Sequence, residues 1–297
     1  MIAPSILLCA DFDETITLQD TISLLFQLAS CSASTQQQLE EQYMKEMSEF
    51  LDQYEAKWLH APTTGQGSFN GTGLREFLEG YAATDLRSLK RVINCRALQG
   101  ICHQTIVEAA KTVEIRPHCA ETLAAVDEWK IVSANWCKKL VSSVLTQSGV
   151  VTDNNIRQST HIIANELKVN KQGVTTGKID VKVQSPLDKA QWINQVRSLY
   201  TGIRPIVIYV GDSVNDLLAL LEADVGIWLD SDSSSSSSQL LRQLVENYGI
   251  DVQPLKAYTT FAHDVATTSD DGDSKPVIYT ATDWVQLKEL VDKRFQN

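Results

Sequence analysis

Short apolar runs that end in polar turns recur along the chain, and stretches of helical spacing separate them. Residues 5–10, 130–132, 206–210, 225–229 and 276–281 are runs of this kind and read as short buried strands. Residues 21–29 form an apolar helical segment. Over residues 36–58, Leu39, Tyr43, Met47, Phe50, Leu51, Tyr54 and Trp58 recur at intervals of three and four, which puts them on one helix face, a stripe read as core. Helical segments continue over residues 74–113. Residues 217–221, 240–248 and 284–291 also read as helices, and Pro186 opens another in the first-turn position that proline favours. Alternating strands and helices predict an α/β fold with a doubly wound, Rossmann-like parallel sheet. The helical block between the first two runs predicts an insertion, with linkers near Leu18 and near residues 115–118. Loops are expected at residues 62–73, at an exposed serine tract within residues 230–238 (serine throughout 233–238), and at the acidic, polar residues 267–274.

Acidic residues follow the strand ends. Asp11 and Asp13 come directly after the first run. Two carboxylates there can hold a hard cation such as Mg²⁺, or divide the work of nucleophile and general acid/base. The run at 206–210 leads into Gly211-Asp212-Ser213-Val214-Asn215-Asp216, again strand, tight turn and helix. Asp212 would face the same sheet edge as Asp11 if the strands are neighbours, with Asp216 orienting the ligands; capping of a helix by Asp212 or Ser213 is the plainer alternative. A third strand ends at Ser133-Ala134-Asn135, where a hydroxyl and backbone N–H groups could meet a phosphoryl oxygen or cap a helix. Lys189 is a cation near a helix N-terminus, where the dipole disfavours it. It is either a solvated surface lysine or one aimed at an anionic nucleophile and a phosphate.

These pieces, in this order, resemble the haloacid dehalogenase-like hydrolase superfamily, whose motifs are Asp-x-Asp-x-Thr, a strand-end Ser or Thr, a Lys, and Gly-Asp-x-x-x-Asp. Here they are Asp11-Phe12-Asp13-Glu14-Thr15, Ser133, Lys189 and Gly211-Asp212-Ser213-Val214-Asn215-Asp216. Residues 131–137, 164–167, 185–189 and 209–213 look more narrowly like the phosphatase domain of plant two-part thiamine-salvage proteins, which removes phosphate from thiamine monophosphate. The phosphatase-like motifs begin near residue 7, so the thiaminase-like half of those proteins is expected to be absent from this chain.

The resemblance implies a Mg²⁺-dependent phosphomonoesterase. Asp11 would be the nucleophile and Asp13 the general acid/base, with Asp11, Asp13 (by its carbonyl) and Asp212 as metal ligands, supported by Asn215 and Asp216. Ser133, Asn135 and Lys189 would bind substrate. It further implies a core of residues 1–17 and 117–297 under a helical C1-type cap of residues 18–116. Asp20, nine residues after Asp11, would meet an amino or cationic group of the substrate, as an acid at this spacing does in phosphoserine phosphatases; capping the first inserted helix is its other reading. The alternatives are a phosphatase for phosphoserine or a nucleotide, transfer of the phosphoryl group to an acceptor other than water, and a regulatory protein that keeps the fold without turnover.

Composition narrows the partners. The 297 residues carry 26 basic and 37 acidic side chains, a formal net charge of −11, which argues against nucleic acid and for a small phosphorylated metabolite. Six scattered cysteines without paired spacing suggest reduced thiols and a cytoplasmic setting, and His103 beside Cys102 and His118 beside Cys119 lack the ordered quartet of a zinc site. Neither a signal peptide nor a run long enough to span a bilayer is evident, so no membrane partner is expected. Protein partners are not indicated.

Overall fold

The computed structural model describes residues 5–60, 68–151, 161–200, 204–231, 236–258 and 275–293. Seven parallel strands form the main sheet: β1 (Ile6–Ala10), β3 (Glu128–Val132), β4 (Ile162–Ile163), β7 (Ile206–Gly211), β8 (Val225–Leu229), β9 (Asp251–Pro254) and β10 (Val277–Ala281). Their order is β4-β3-β1-β7-β8-β10-β9. The central strands are apolar on both faces because helices cover both: every residue of β1 and β8 is buried. On one side pack α5 (Cys119–Ala125), α6 (Lys138–Gln147) and α10 (Trp284–Lys293). On the other lie α7 (Pro186–Ser198), α8 (Leu217–Glu222) and α9 (Ser236–Asn247). This is the doubly wound α/β sheet that the strand–helix alternation predicts.

Residues 18–116 lie between β1 and β3, and two long antiparallel helices dominate them: α2 (Ala33–His60) and α3 (Gly71–Asn94), after a short α1 (Ile22–Leu28). The aromatic stripe is their packing surface, where Phe50, Tyr54 and Phe77 meet with ring centroids about 5 Å apart. The two connections to the core run side by side. Thr17 bridges Ile115, Leu18 N donates to Glu114 O at 3.0 Å, and Arg116 N donates to Ile16 O at 2.7 Å.

The helical pattern over residues 74–113 is broken by a strand that periodicity does not reveal, β2 (Gln99–Cys102). It pairs with β6 (Val174–Asp180), which in turn pairs with β5 (Glu166–Val169), in a small antiparallel sheet. The following helix, α4 (His103–Ala109), packs on α6. The serine tract also departs from the expected loop. Ser236–Ser238 open α9, and Ser238 is buried and donates to Asp230 Oδ1 at 3.1 Å. Residues 232–235 of the tract, 61–67 and the acidic loop at 267–274 lie outside the described residues. Among the described residues, no helix is long and apolar enough to cross a membrane.

Candidate active site

β1 lies between β3 and β7, all parallel, so Asp11, Ser133 and Asp212 follow their strands at one edge of the sheet. The chain reverses its direction of winding at β1, the place where open α/β sheets bind ligands. A cavity of about 630 Å³ opens there between the sheet edge and α1–α3. Asp11, Asp13, Asp20, Ser133, Asn135, Lys189, Asp212 and Asn215 all line it, whereas Asp216 sits behind them, fully buried.

Lys189 lies in the first turn of α7, where Ser185 caps the helix by accepting from Asp188 N at 3.1 Å. Its ammonium is sealed from solvent, 2.8 Å from both Asp11 Oδ2 and Asp216 Oδ1. Asp216 also accepts from Tyr209 Oη at 2.7 Å and from Ser213 N and Oγ at 3.1 and 2.9 Å, so both its oxygens are held by donors. Gly211 makes room for this arrangement: a Cβ there would lie 2.2 Å from Asp216 Cγ. The carboxylates of Asp11, Asp212 and Asp216 offer oxygens that all lie within 4.8 Å of one another. With Asp216 committed, Asp11 and Asp212 are the available pair. Asp11 Oδ1 is buried without a hydrogen-bond partner, the mark of an atom that needs a cation or an electrophile beside it.

Asp13 is held by a different set of donors. Thr21 donates to its Oδ1 from N and Oγ1 at 2.9 and 2.6 Å, and Asn135 Nδ2 donates to Oδ2 at 2.8 Å. Asn135 spends its second amide proton on Thr21 Oγ1, also at 2.8 Å, and its Oδ1 accepts from Cys137 N. The amide expected to touch substrate is therefore committed to positioning Asp13. Ser133 Oγ accepts from Asn135 N at 3.1 Å, which leaves its proton for an outside acceptor. Asp20 is exposed at the cavity, and its carboxylate accepts from Ile22 N at 3.2 Å, so it serves the start of α1 as well.

Burial sets the electrostatics. It pushes Asp11 up to about 6, with Lys189 opposing and Asp216 reinforcing the shift. Asp212 is held well above the usual carboxylate range by burial, then by Asp216 and Asp11. Asp13 rises to about 7, chiefly through burial and then the charge of Asp20. A carboxyl in that range can carry a proton at neutral pH and hand it on.

Several residues here give no sequence signal. Thr21, Tyr43 and Asp85 reach the site from the inserted segment. Arg116 donates to Glu14 O from Nε and Nη2 at 2.9 and 2.7 Å, and so braces a residue with φ of 56°. Trp284, from the far end of the chain, donates to Thr15 O at 2.8 Å.

The bifunctional TH2 protein, mitochondrial, of Arabidopsis thaliana is 25% identical over 94% of this chain and 48% of its own length. The chain thus spans about half the length of the curated relative it matches. A HAD family hydrolase from Salmonella enterica serovar Typhi has the same fold, with a TM-score of 0.50 at 14% identity over 82% of this chain and 67% of that one. A phosphoserine phosphatase in the form of a phospho-aspartyl intermediate analogue aligns over 81% of this chain and 91% of its own, with a TM-score of 0.48 at 17% identity. Residues 8–221, from the first acidic motif through the last, match the haloacid dehalogenase-like hydrolases, and the chain belongs to that family.

Proposed function

We propose that this chain is a Mg²⁺-dependent phosphomonoesterase that works through an aspartyl-phosphate on Asp11. The observation that carries the reading is the pair of states of one carboxylate at the cavity: Asp11 Oδ2 is pinned by Lys189, while Oδ1 is buried with no hydrogen-bond partner. Asp11, the carbonyl of Asp13 and Asp212 would hold Mg²⁺, and the unpartnered Oδ1 fits that role. Bound there, the ion offsets charge on the phosphoryl oxygens and on the acids.

The chain's own residues do the rest. Asp11 attacks phosphorus as the bond to the leaving oxygen breaks, and Asp13 gives that oxygen a proton. Asp13 then takes a proton from the water that attacks the aspartyl-phosphate, which frees phosphate and restores Asp11. Lys189 has a third proton beyond the two given to Asp11 and Asp216, and with Ser133 it meets the phosphoryl oxygens. Asp216 holds the turn after Gly211 in place through Ser213, Asn215 and Asp216 would support the metal ligands, and Asn135 orients Asp13 for both proton transfers.

Residues 18–116 serve as a cap in this reading, chiefly through α1–α3, over a core of residues 1–17 and 117–297. Closure would exclude water while the first step proceeds. Thiamine monophosphate is the substrate we favour. The motif likeness to thiamine-salvage phosphatases supports it, as does a relative that is bifunctional by name and matched across 48% of its length. The six cysteines are all free, which suits a reducing, cytoplasmic setting.

Phosphate release from thiamine monophosphate, phosphoserine, pyridoxal phosphate and a nucleotide monophosphate, with Mg²⁺ and with chelator, tests the reading. Turnover that needs Mg²⁺ and disappears in Asp11→Asn is expected. No release on any ester by a folded sample would overturn it and favour a binding protein on this fold.

A further inference from the structure

The cavity has an uneven charge. Among its described lining residues, Lys189 is the sole lysine or arginine, and it is already shared by Asp11 and Asp216. The charged groups that the inserted segment adds are all acidic: Asp20 before α1, Glu40 on α2 and Asp85 on α3. A leaving group with a carboxylate or a second phosphate would have to shed water against these acids with no guanidinium or ammonium to receive it. A cation would meet countercharge at once.

Asp85 is the most constrained of the three. Tyr43 Oη donates to its Oδ1 at 3.0 Å, and the Asn215 side chain hydrogen-bonds it from the other side of the cavity. Asn215 keeps a second polar atom in reserve, since its Oδ1 is buried without a partner. Burial pushes Asp85 up to about 6, because neutral donors soften its charge without balancing it. The apolar side of the cavity is aromatic: Trp136 and Phe26 pack edge to face with centroids 6.1 Å apart, and both line it. A ring can lie on such a surface, and a cationic ring gains more than a neutral one.

We propose that Asp85 is a specificity-determining residue that receives the cationic or N–H-bearing part of a planar leaving group, with Trp136 as the wall on which its ring lies. For the reaction the inference rests on the phosphatase reading above. It goes further in naming the residue and in excluding leaving groups of net negative charge, such as a nucleoside diphosphate.

The test compares kcat/KM for thiamine monophosphate, whose leaving group is cationic, with that for 4-nitrophenyl phosphate, whose leaving group is not, in the wild type and in Asp85→Asn. The ratio should fall at least ~tenfold in the variant, mainly through KM for the cationic ester. A latch between Tyr43 and Asn215 that only holds the cap would lower both substrates alike, and an unchanged ratio would overturn the proposal. A second measurement needs no variant. Calorimetric binding of thiamine to the wild type should exceed that of an uncharged ring analogue of the same shape by at least ~tenfold. Equal binding would also overturn it. Calorimetry reads the site even where no ester is hydrolysed, so failure of the phosphatase reading and failure of this one give different results.

Discussion

The Lys189 ammonium lies 2.8 Å from Asp216 Oδ1, and neither side chain is more than 1% exposed. Breaking such a pair leaves a buried charge without compensation, which costs ~3–5 kcal/mol. Lys189→Met should therefore unfold at markedly lower urea concentration than the wild type and release no phosphate. The double variant Lys189→Met with Asp216→Asn removes both charges, so it should regain part of the lost stability without regaining activity. Equal stability of the single and double variants would show that the pair does not act as a unit.

Asp212 sits under opposite pressure. Burial, then Asp216, then Asp11 hold its carboxyl well above the ordinary range. For an acid this sign means that the ionised form is penalised in the fold, and that the penalty grows as pH rises above the unfolded value. Asp212→Asn keeps an acceptor for the Thr15 hydroxyl, now 2.6 Å from Oδ1, and removes the repulsion. Without Mg²⁺ the variant should melt higher than the wild type at pH 7.5, and the difference should narrow as pH falls. Added Mg²⁺ should raise the melting temperature of the wild type and not of the variant. A variant that still responds to the ion would place the ligand set elsewhere.

Why the candidate site's sheet edge was legible in the sequence follows from its construction. Asp11, Ser133 and Asp212 each come directly after a short apolar run, so finding the strands finds the residues, and a parallel sheet brings the strand ends together. Lys189 was legible because Ser185 and Pro186 mark where its helix begins. The wall facing them was not. Asp85 and Tyr43 are polar positions among many on long amphipathic helices, and only the way α2 and α3 dock selects the ones that face the cavity. β2 escaped notice because it is four residues long with a single buried position and gains its meaning from β6, more than 70 residues away. The serine run read as loop by composition, yet its last residues have a helix to join and a buried partner in Asp230.

Glu46 ties α2 to α3 in a way that pH should reveal. Arg91 Nη1 lies 2.8 Å from Oε1 and Arg87 Nε 3.2 Å from Oε2. A hydrogen bond from Gln42 and the two arginines lower its carboxyl to about 2. A depressed acid lends stability that is present above the ordinary value near 4.5 and is lost as pH falls toward 2. The site is at the surface, so the contribution is about 1 kcal/mol. Glu46→Gln should melt slightly lower than the wild type at pH 7, and the two curves should converge as pH falls from about 4.5 toward 2. Parallel curves across that range would mean the arginines contribute nothing through charge.

Trp284 reaches the site through two hydrogen bonds in series. Its Nε1 donates to Thr15 O at 2.8 Å, and Thr15 Oγ1 donates to Asp212 Oδ1 at 2.6 Å. Helix α10 thereby fixes the loop that aims a proposed Mg²⁺ ligand, although it lies at the opposite end of the sequence. Trp284→Phe keeps the buried ring body and strands the Thr15 carbonyl, a loss of ~1–3 kcal/mol in stability. A residue that only packs would lower the melting temperature and leave the metal requirement alone. Through Thr15, the substitution should also raise the Mg²⁺ concentration for half-maximal phosphate release several-fold. Trp228→Phe provides the internal control. Trp228 is as deeply buried on β8, but its Nε1 has no hydrogen-bond partner. Replacing it removes an unsatisfied donor along with some packing, so the Mg²⁺ midpoint should not move. If both substitutions shift that midpoint equally, the Trp284 hydrogen bond is not what positions Asp212.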